Sequence, residues 1–199
     1  MENLPDALNY IRTRYRHPDQ RLVNFLEIKL IIRLFSDLLA PGALILDVPS
    51  GYGRLTVPLL FKGFRVVGGD ISPAMAKLVS EKTLSLNLSI FELPFRDRSF
   101  DATLTWRLFH HFDAEEIEKA LNELARVSKR FVIFSFYRVN FLHTAERRIR
   151  KMKSRIRFYG ISQMREILNR TGLEIVLLKS ALGPIHAQTI CVAKHPEHV

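Results

Sequence analysis

Two acids, a pair of glycines and a pair of histidines stand where their side chains and backbone can do chemistry together. Asp47 ends the apolar run Ala43-Leu44-Ile45-Leu46, and Val48-Pro49-Ser50-Gly51-Tyr52-Gly53-Arg54 follows at once. Glycines at 51 and 53 let backbone and ligand approach closely, and the start of the next helix offers N–H donors. Asp70 ends a second run, Phe64 to Gly69, just before Ser72-Pro73. An acid in that place can accept hydrogen bonds from two ribose hydroxyls; its other reading is a favourable charge at a helix start. His110 and His111 follow a later run that ends at Thr105-Trp106. Imidazole titrates in the range useful for taking a proton from an acceptor, and a packing pair is the competing reading.

A nicotinamide dinucleotide and a cationic nucleoside both suit a Gly-x-Gly turn, and two residues separate them. The third glycine of G-x-G-x-x-G would fall at position 56, which is Thr56. Asp47 would also set a negative charge against a pyrophosphate at short range. S-adenosylmethionine carries an ammonium and a sulfonium and no phosphate, so the acid favours it. Trp106 offers a cation–π face to the sulfonium, with a core or interface position as its other reading.

The elements that must hold these residues alternate along the chain. A basic, aromatic lead-in (Tyr10 to Arg21) and a helical pattern from Leu22 to Ala40 end at Pro41-Gly42. Strands are expected at 43–48, 64–70, 86–91, 100–105, 131–136, 173–178 and 188–193. Helices are expected at 54–62 (with Gly63 as its stop), from Ser72-Pro73, from the D-x-x-E box of Asp113 and Glu116, and at 162–171 before Gly172. In the helix after Asp113, Ile117, Ala120, Leu121, Leu124 and Val127 share one face. Strands separated by helix-length segments give right-handed crossovers and a doubly wound, Rossmann-like α/β fold. Its sheet is mainly parallel and seven-stranded. A short Gly183-Pro184 loop makes the last strand antiparallel, in a hairpin at one edge. At 199 residues the chain reads as a single domain. Residues 1–40 form a lead-in, 43–136 the cofactor-binding core, 141–158 a basic amphipathic helix, and 161–199 the closing helix and strands.

Four segments resemble the class I S-adenosylmethionine-dependent methyltransferases, in the broad group that includes the ubiquinone and menaquinone enzymes. They are Ile45 to Leu55, Val66 to Met75, Glu92-Leu93-Pro94-Phe95 with Ser99-Phe100-Asp101-Ala102, and Leu108-Phe109-His110-His111-Phe112, followed by Leu121 to Val127. The resemblance implies that Asp47, Gly51 and Gly53, with Pro49 and Ser50 between them, frame the methionine portion. Asp70 would hold the ribose and Ile71 would pack on the adenine. Ser89, with Ile90 beside it, occupies the position where the family carries an acid for the adenine amine. Thr105 ends the strand beside the site. Pro49 replaces the usual first glycine of the loop and lacks an N–H. These departures leave room for a second reading, an S-adenosylmethionine-binding partner protein without catalysis. A nicotinamide-dependent oxidoreductase and an RNA methyltransferase rank below it.

Net charge is +10, from 30 Lys and Arg against 20 Asp and Glu, which favours an anionic partner or substrate. Much of it lies in 141–158, where Arg147, Arg148, Arg150, Lys151, Lys153, Arg155 and Arg157 surround an apolar stripe of Leu142, Ala145, Ile149, Met152 and Ile156. That segment reads as a contact with an anionic membrane, as a cap that draws in an anionic or lipid-linked acceptor, or as a solvated surface helix. No aromatic platform for RNA interleaves it. The lone Cys191 reads as buried, no histidine or cysteine spacing suits a metal, and no apolar run nears the roughly 18 residues of a spanning helix. The acidic N-terminus does not read as a signal peptide, so the expected setting is cytoplasmic or peripheral to a membrane.

Overall fold

The computed structural model describes residues 4–14, 16–139, 156–181 and 187–196. Two helices lead in: α1 (Leu4–Arg14) and α2 (Pro18–Leu38), with Pro18 at the first turn, where its missing N–H costs nothing. The remainder alternates as expected: β1 (Leu44–Asp47), α3 (Thr56–Phe61), β2 (Arg65–Asp70), α4 (Pro73–Ser80), β3 (Ser85–Asn87), β4 (Phe100–Thr105), a 3-10 turn (Phe109–His111), α5 (Ala114–Val127), β5 (Ser128–Tyr137), α6 (Ile161–Arg170), β6 (Glu174–Ser180) and β7 (Gln188–Lys194). Most of the basic segment expected at 141–158 lies outside the described residues, and Ile156 to Phe158 lie within them.

One seven-stranded sheet runs in the order β3-β2-β1-β4-β5-β7-β6. Its strands are parallel except β7, which is antiparallel to both neighbours. The closing hairpin therefore does not simply hang on an edge: β7 inserts between β5 and β6, and β6 is the edge. Register brings the carboxyl ends of the central strands together, with Ile45, Leu46 and Asp47 opposite Val66, Val67 and Gly68 on one side and Ala102, Thr103 and Leu104 on the other.

Alternation along these strands builds a core on each face. Ile45, Val66, Ala102, Leu104, Ile133 and Val192 turn toward α2 and α3. Leu46, Val67, Val132, Phe134 and Phe136 turn toward α5 and α6. The capping box forms as read from the sequence: Glu116 N donates to Asp113 Oδ1 (2.9 Å) and Asp113 N to Glu116 Oε2 (2.7 Å). The expected face of α5, from Ile117 to Val127, is fully buried. Cys191 is also buried, and desolvation pushes its thiol up to about 12, far from reactivity.

Several bounds differ from the sequence reading, two of them in segments expected to hold the cofactor. The helix expected from Arg54 starts only at Thr56, because Gly53 to Leu55 are still turning out of the glycine loop. The third strand ends at Asn87 rather than 91, where Leu88 N makes its last bond to Asp70 O (3.1 Å) and the chain turns into a Ser89–Glu92 bridge. Leu121→Ala should lower stability by about 2–5 kcal/mol. Denaturant unfolding should show the loss as a lower midpoint at unchanged slope, as a core cavity requires.

Candidate functional site

The loops at the carboxyl ends of β1, β2, β4 and β5 enclose a cleft of about 510 Å³. Its lining includes Asp47, Pro49, Ser50, Gly51, Asp70 and Ile71 from one side, and His110 and His111 from the other, all of them singled out in the sequence. Gly53 lies in the same loop at φ +87, a backbone shape that favours glycine. A Cβ there would also meet Val57 Cγ2 at 3.2 Å.

Asp47 is buried, and its Oδ2 accepts from Thr56 Oγ1 at 2.6 Å. The residue that breaks the dinucleotide fingerprint thus orients the acid. Its other oxygen, Oδ1, has no partner among the described residues. Burial pushes this carboxyl up to about 7, opposed by the Thr56 hydrogen bond and the Arg54 charge.

Asp70 joins two backbone segments, one of them the helix start named in its second reading from the sequence. Its Oδ2 accepts from Gly51 N (2.9 Å) and its Oδ1 from Ser72 N (2.8 Å), so one carboxylate clasps the glycine loop to the start of α4. Burial raises its pKa, and these two backbone bonds pull it back. Each oxygen keeps a further lone pair for a ligand hydroxyl. Ser72 caps α4 as expected, accepting from Met75 N. Asn87 supports the same corner by donating to the carbonyls of Asp70 and Ile71, both at 2.9 Å. Ile71 stands 75% exposed at the cleft, an apolar surface that no described residue covers.

The loop's own N–H groups are largely used inside the protein. Ser50 N donates to Gly69 O (2.8 Å), Gly51 N to Asp70, and Gly53 N to Ser50 O (3.0 Å). A pyrophosphate would meet spent donors and a nearby carboxylate. Pro49 removes one more donor.

Besides Gly53, three residues drawn from the sequence do not line the cleft. Ser89 accepts from Phe91 N and bridges Glu92. Ile90 is buried in the core. Thr105 is buried beneath the loop, its hydroxyl donating to Val48 O at 2.8 Å. The early end of β3 explains the first two, since the chain turns before reaching the cleft.

On the opposite side, aromatic rings run in series. His110 stacks on Tyr137 (centroids 4.7 Å apart, 25° between planes) and neighbours His111 (4.0 Å), and Tyr137 neighbours Phe158 (5.8 Å). His110 is buried in this wall, whereas His111 is exposed. Trp106, Arg107 and Arg54 complete the lining. Arg54, Arg107 and Tyr137 escaped the sequence reading. A signal for Tyr137 existed, since it sits one position beyond the expected end of β5, where ligand-facing residues collect.

Residues 45–130 match the family model described as a methyltransferase domain. The matched stretch is similar to S-adenosylmethionine-dependent methyltransferases. The magnesium protoporphyrin IX methyltransferase of Synechocystis PCC 6803, crystallised with bound SAH, has the same fold at TM-score 0.81 and 21% identity, over 96% of this chain and 94% of that one. The curated magnesium-protoporphyrin O-methyltransferase of Synechocystis is 26% identical over 65% of this chain and 57% of its own length. A demethylmenaquinone methyltransferase of Renibacterium salmoninarum is 36% identical over 45% of this chain and 38% of its own. The chain thus spans about half of the length of these curated relatives. Among the described residues of the methyltransferase fold, no helix is long and apolar enough to cross a membrane and no cluster suits a metal ion.

The Asp47 carboxyl, raised to about 7 in the folded state against about 3.9 unfolded, contributes stability below the unfolded value and loses it as pH rises through 7. A cation beside it favours the ionised form. Affinity for S-adenosylhomocysteine should therefore rise from pH 5.5 to 7 by up to about tenfold per unit, then level off. Calorimetric titration across that range checks this, and Asp47→Asn should flatten the profile while weakening binding.

Proposed function

We propose that the chain transfers a methyl group from S-adenosylmethionine to a flat, conjugated small-molecule acceptor. The observation that carries this reading is the orphaned pair in one cleft. Asp47 Oδ1 is a buried acceptor and Arg54 Nη2 a buried donor, neither with a partner among the described residues. They complement the ammonium and the carboxylate of the cofactor's amino acid. Asp70 is placed to accept from ribose hydroxyls and exposed Ile71 to cover an adenine. The residues present therefore fit the cofactor, which when bound supplies an electrophilic methyl on a sulfonium.

The protein's part is to position and to exclude water. Such transfer needs the nucleophile in line with the departing sulfur, and holding two reactants in that geometry supplies much of the acceleration. The His110–Tyr137–Phe158 wall suits a planar acceptor, since offset aromatic contacts are worth about 0.5–1.5 kcal/mol each beyond burial. Porphyrin and quinone, the acceptors in the relatives' names, are both conjugated rings. His111, exposed at the same edge, is placed to take a proton where the acceptor nucleophile is protonated. His110 serves as wall. Location at a membrane, a lipid-linked acceptor and a role for the basic segment belong to the same proposal, since an anionic acceptor suits both the +10 charge and Arg107 at the rim.

S-adenosylhomocysteine should bind in calorimetry, and NADH at the same concentration should give no heat. The reverse result would end the methyltransferase reading. Asp70→Ala should weaken the nucleoside by about 1.5–3 kcal/mol. It should lower the melting temperature too, because the Gly51 and Ser72 amides lose their acceptor. Tyr137→Ala should reduce turnover of magnesium protoporphyrin or a demethylated quinone, followed by adenosylhomocysteine release, without changing nucleoside affinity. Unchanged turnover in that variant would remove the aromatic wall from the account.

A further inference from the structure

Glu27 lies on the inward face of α2, in register with Ile31 and Phe35, and is completely buried. Its Oε2 accepts from Arg54 Nη1 (2.9 Å) and its Oε1 from Arg107 Nη2 (2.7 Å). Asn24, nearly one turn earlier, accepts from the same Arg54 nitrogen at 2.9 Å. Gln188 of β7 joins them in the amide orientation that satisfies both of its ends. It then donates to Glu27 Oε1 at 2.7 Å and accepts from Trp106 Nε1 and Ser135 Oγ at 3.2 Å each. Arg107, held in a left-handed backbone at φ +57, donates its own N–H to Ser135 Oγ at 2.9 Å.

This is more than a helix needs in order to pack. Ile31 and Phe35 already seat α2 on the sheet, Phe35 against the Phe64 ring at 6.1 Å. A buried ion pair is weak evidence for stability, because apolar residues of similar volume often serve as well. The arrangement does something else: by formal charge, two guanidiniums sharing one carboxylate leave one positive charge over, and both arginines line the cleft. Arg54 spends Nη1 on Glu27 and Asn24, which leaves Nη2 as the buried donor without a partner among the described residues. The Arg54 side chain is only 11% exposed, so water does not readily replace that partner.

We propose that Arg54 binds the carboxylate of the cofactor's amino-acid end and that Glu27 is the positioning residue that holds it there. Docking of α2 and recognition of the cofactor are then one event. The same carboxylate fixes Arg107 beside the acceptor, so a single buried acid on the lead-in helix sets both sides of the cleft. This inference rests on the methyltransferase reading and adds Glu27 to it as the residue that positions Arg54.

The test compares S-adenosylhomocysteine with 5′-methylthioadenosine, which keeps the adenosine and the thioether and lacks the amino acid. Arg54→Gln and Glu27→Gln should each weaken S-adenosylhomocysteine by about tenfold, one charge-assisted hydrogen bond, and leave methylthioadenosine within about twofold. Arg54→Lys, which keeps the charge, should recover part of the loss. Should Glu27→Gln fail to fold, Arg54→Gln alone still decides, because Glu27 keeps Arg107 as its partner. Equal weakening of both nucleosides would mark a merely structural role, and no weakening of either would show that the carboxylate lies elsewhere; each overturns the inference and spares the methyltransferase reading. A parent protein that binds neither nucleoside overturns both.

Discussion

A carboxylate buried at a strand end, with one of its two oxygens unsatisfied among the described residues, is a standing electrostatic cost, and the cleft is organised around it. Desolvation disfavours the charged form of Asp47, and the Thr56 hydroxyl offsets only part of that penalty. A cation placed alongside supplies the missing partner and turns the penalty into binding energy. The surrounding loop keeps the alternatives out. Its N–H groups at 50, 51 and 53 are already bonded within the protein, so it is a poor cradle for phosphate. On the proposed reading, preference for a cationic nucleoside comes from what the loop lacks as much as from what it offers.

That arrangement depends on neighbours far away in sequence. Parallel pairing of β1 with β2 and β4 brings Asp47, Asp70 and the Trp106-Arg107 turn to one edge. Asp70 ties the glycine loop to α4. The lead-in helices close the arrangement from outside the alternating core: Ala7 of α1 packs with Ala74, Met75 and Tyr52, and Glu27 of α2 holds two arginines. Both lead-in helices thus contact residues that line the cleft.

The sequence made the strands legible because a parallel strand buried on both faces reads as a continuous apolar run, and an acid that ends such a run is conspicuous. Asp47, Gly51, Gly53 and Asp70 were visible for that reason, and the Asp113–Glu116 box for its spacing. Glu27 was not. An acid within a helix ordinarily faces water, and only its four- and eight-residue spacing to Ile31 and Phe35 placed it on the buried face. Ser89, Ile90 and Thr105 were placed by likeness to other sequences, and likeness does not reveal where a chain turns. Here β3 stops at Asn87, and the Thr105 hydroxyl goes to Val48 O. The place of β7 between β5 and β6 was equally hidden, because a short loop shows that two strands pair and not which third strand they join.

The most direct test is a crystal structure of the protein grown with S-adenosylhomocysteine. Electron density is expected in the cleft, with the amine on Asp47 Oδ1, the ribose hydroxyls on Asp70, and the adenine against Ile71. Density for the nucleoside at another place on the molecule, or a cleft that stays empty at saturating ligand, would contradict that placement.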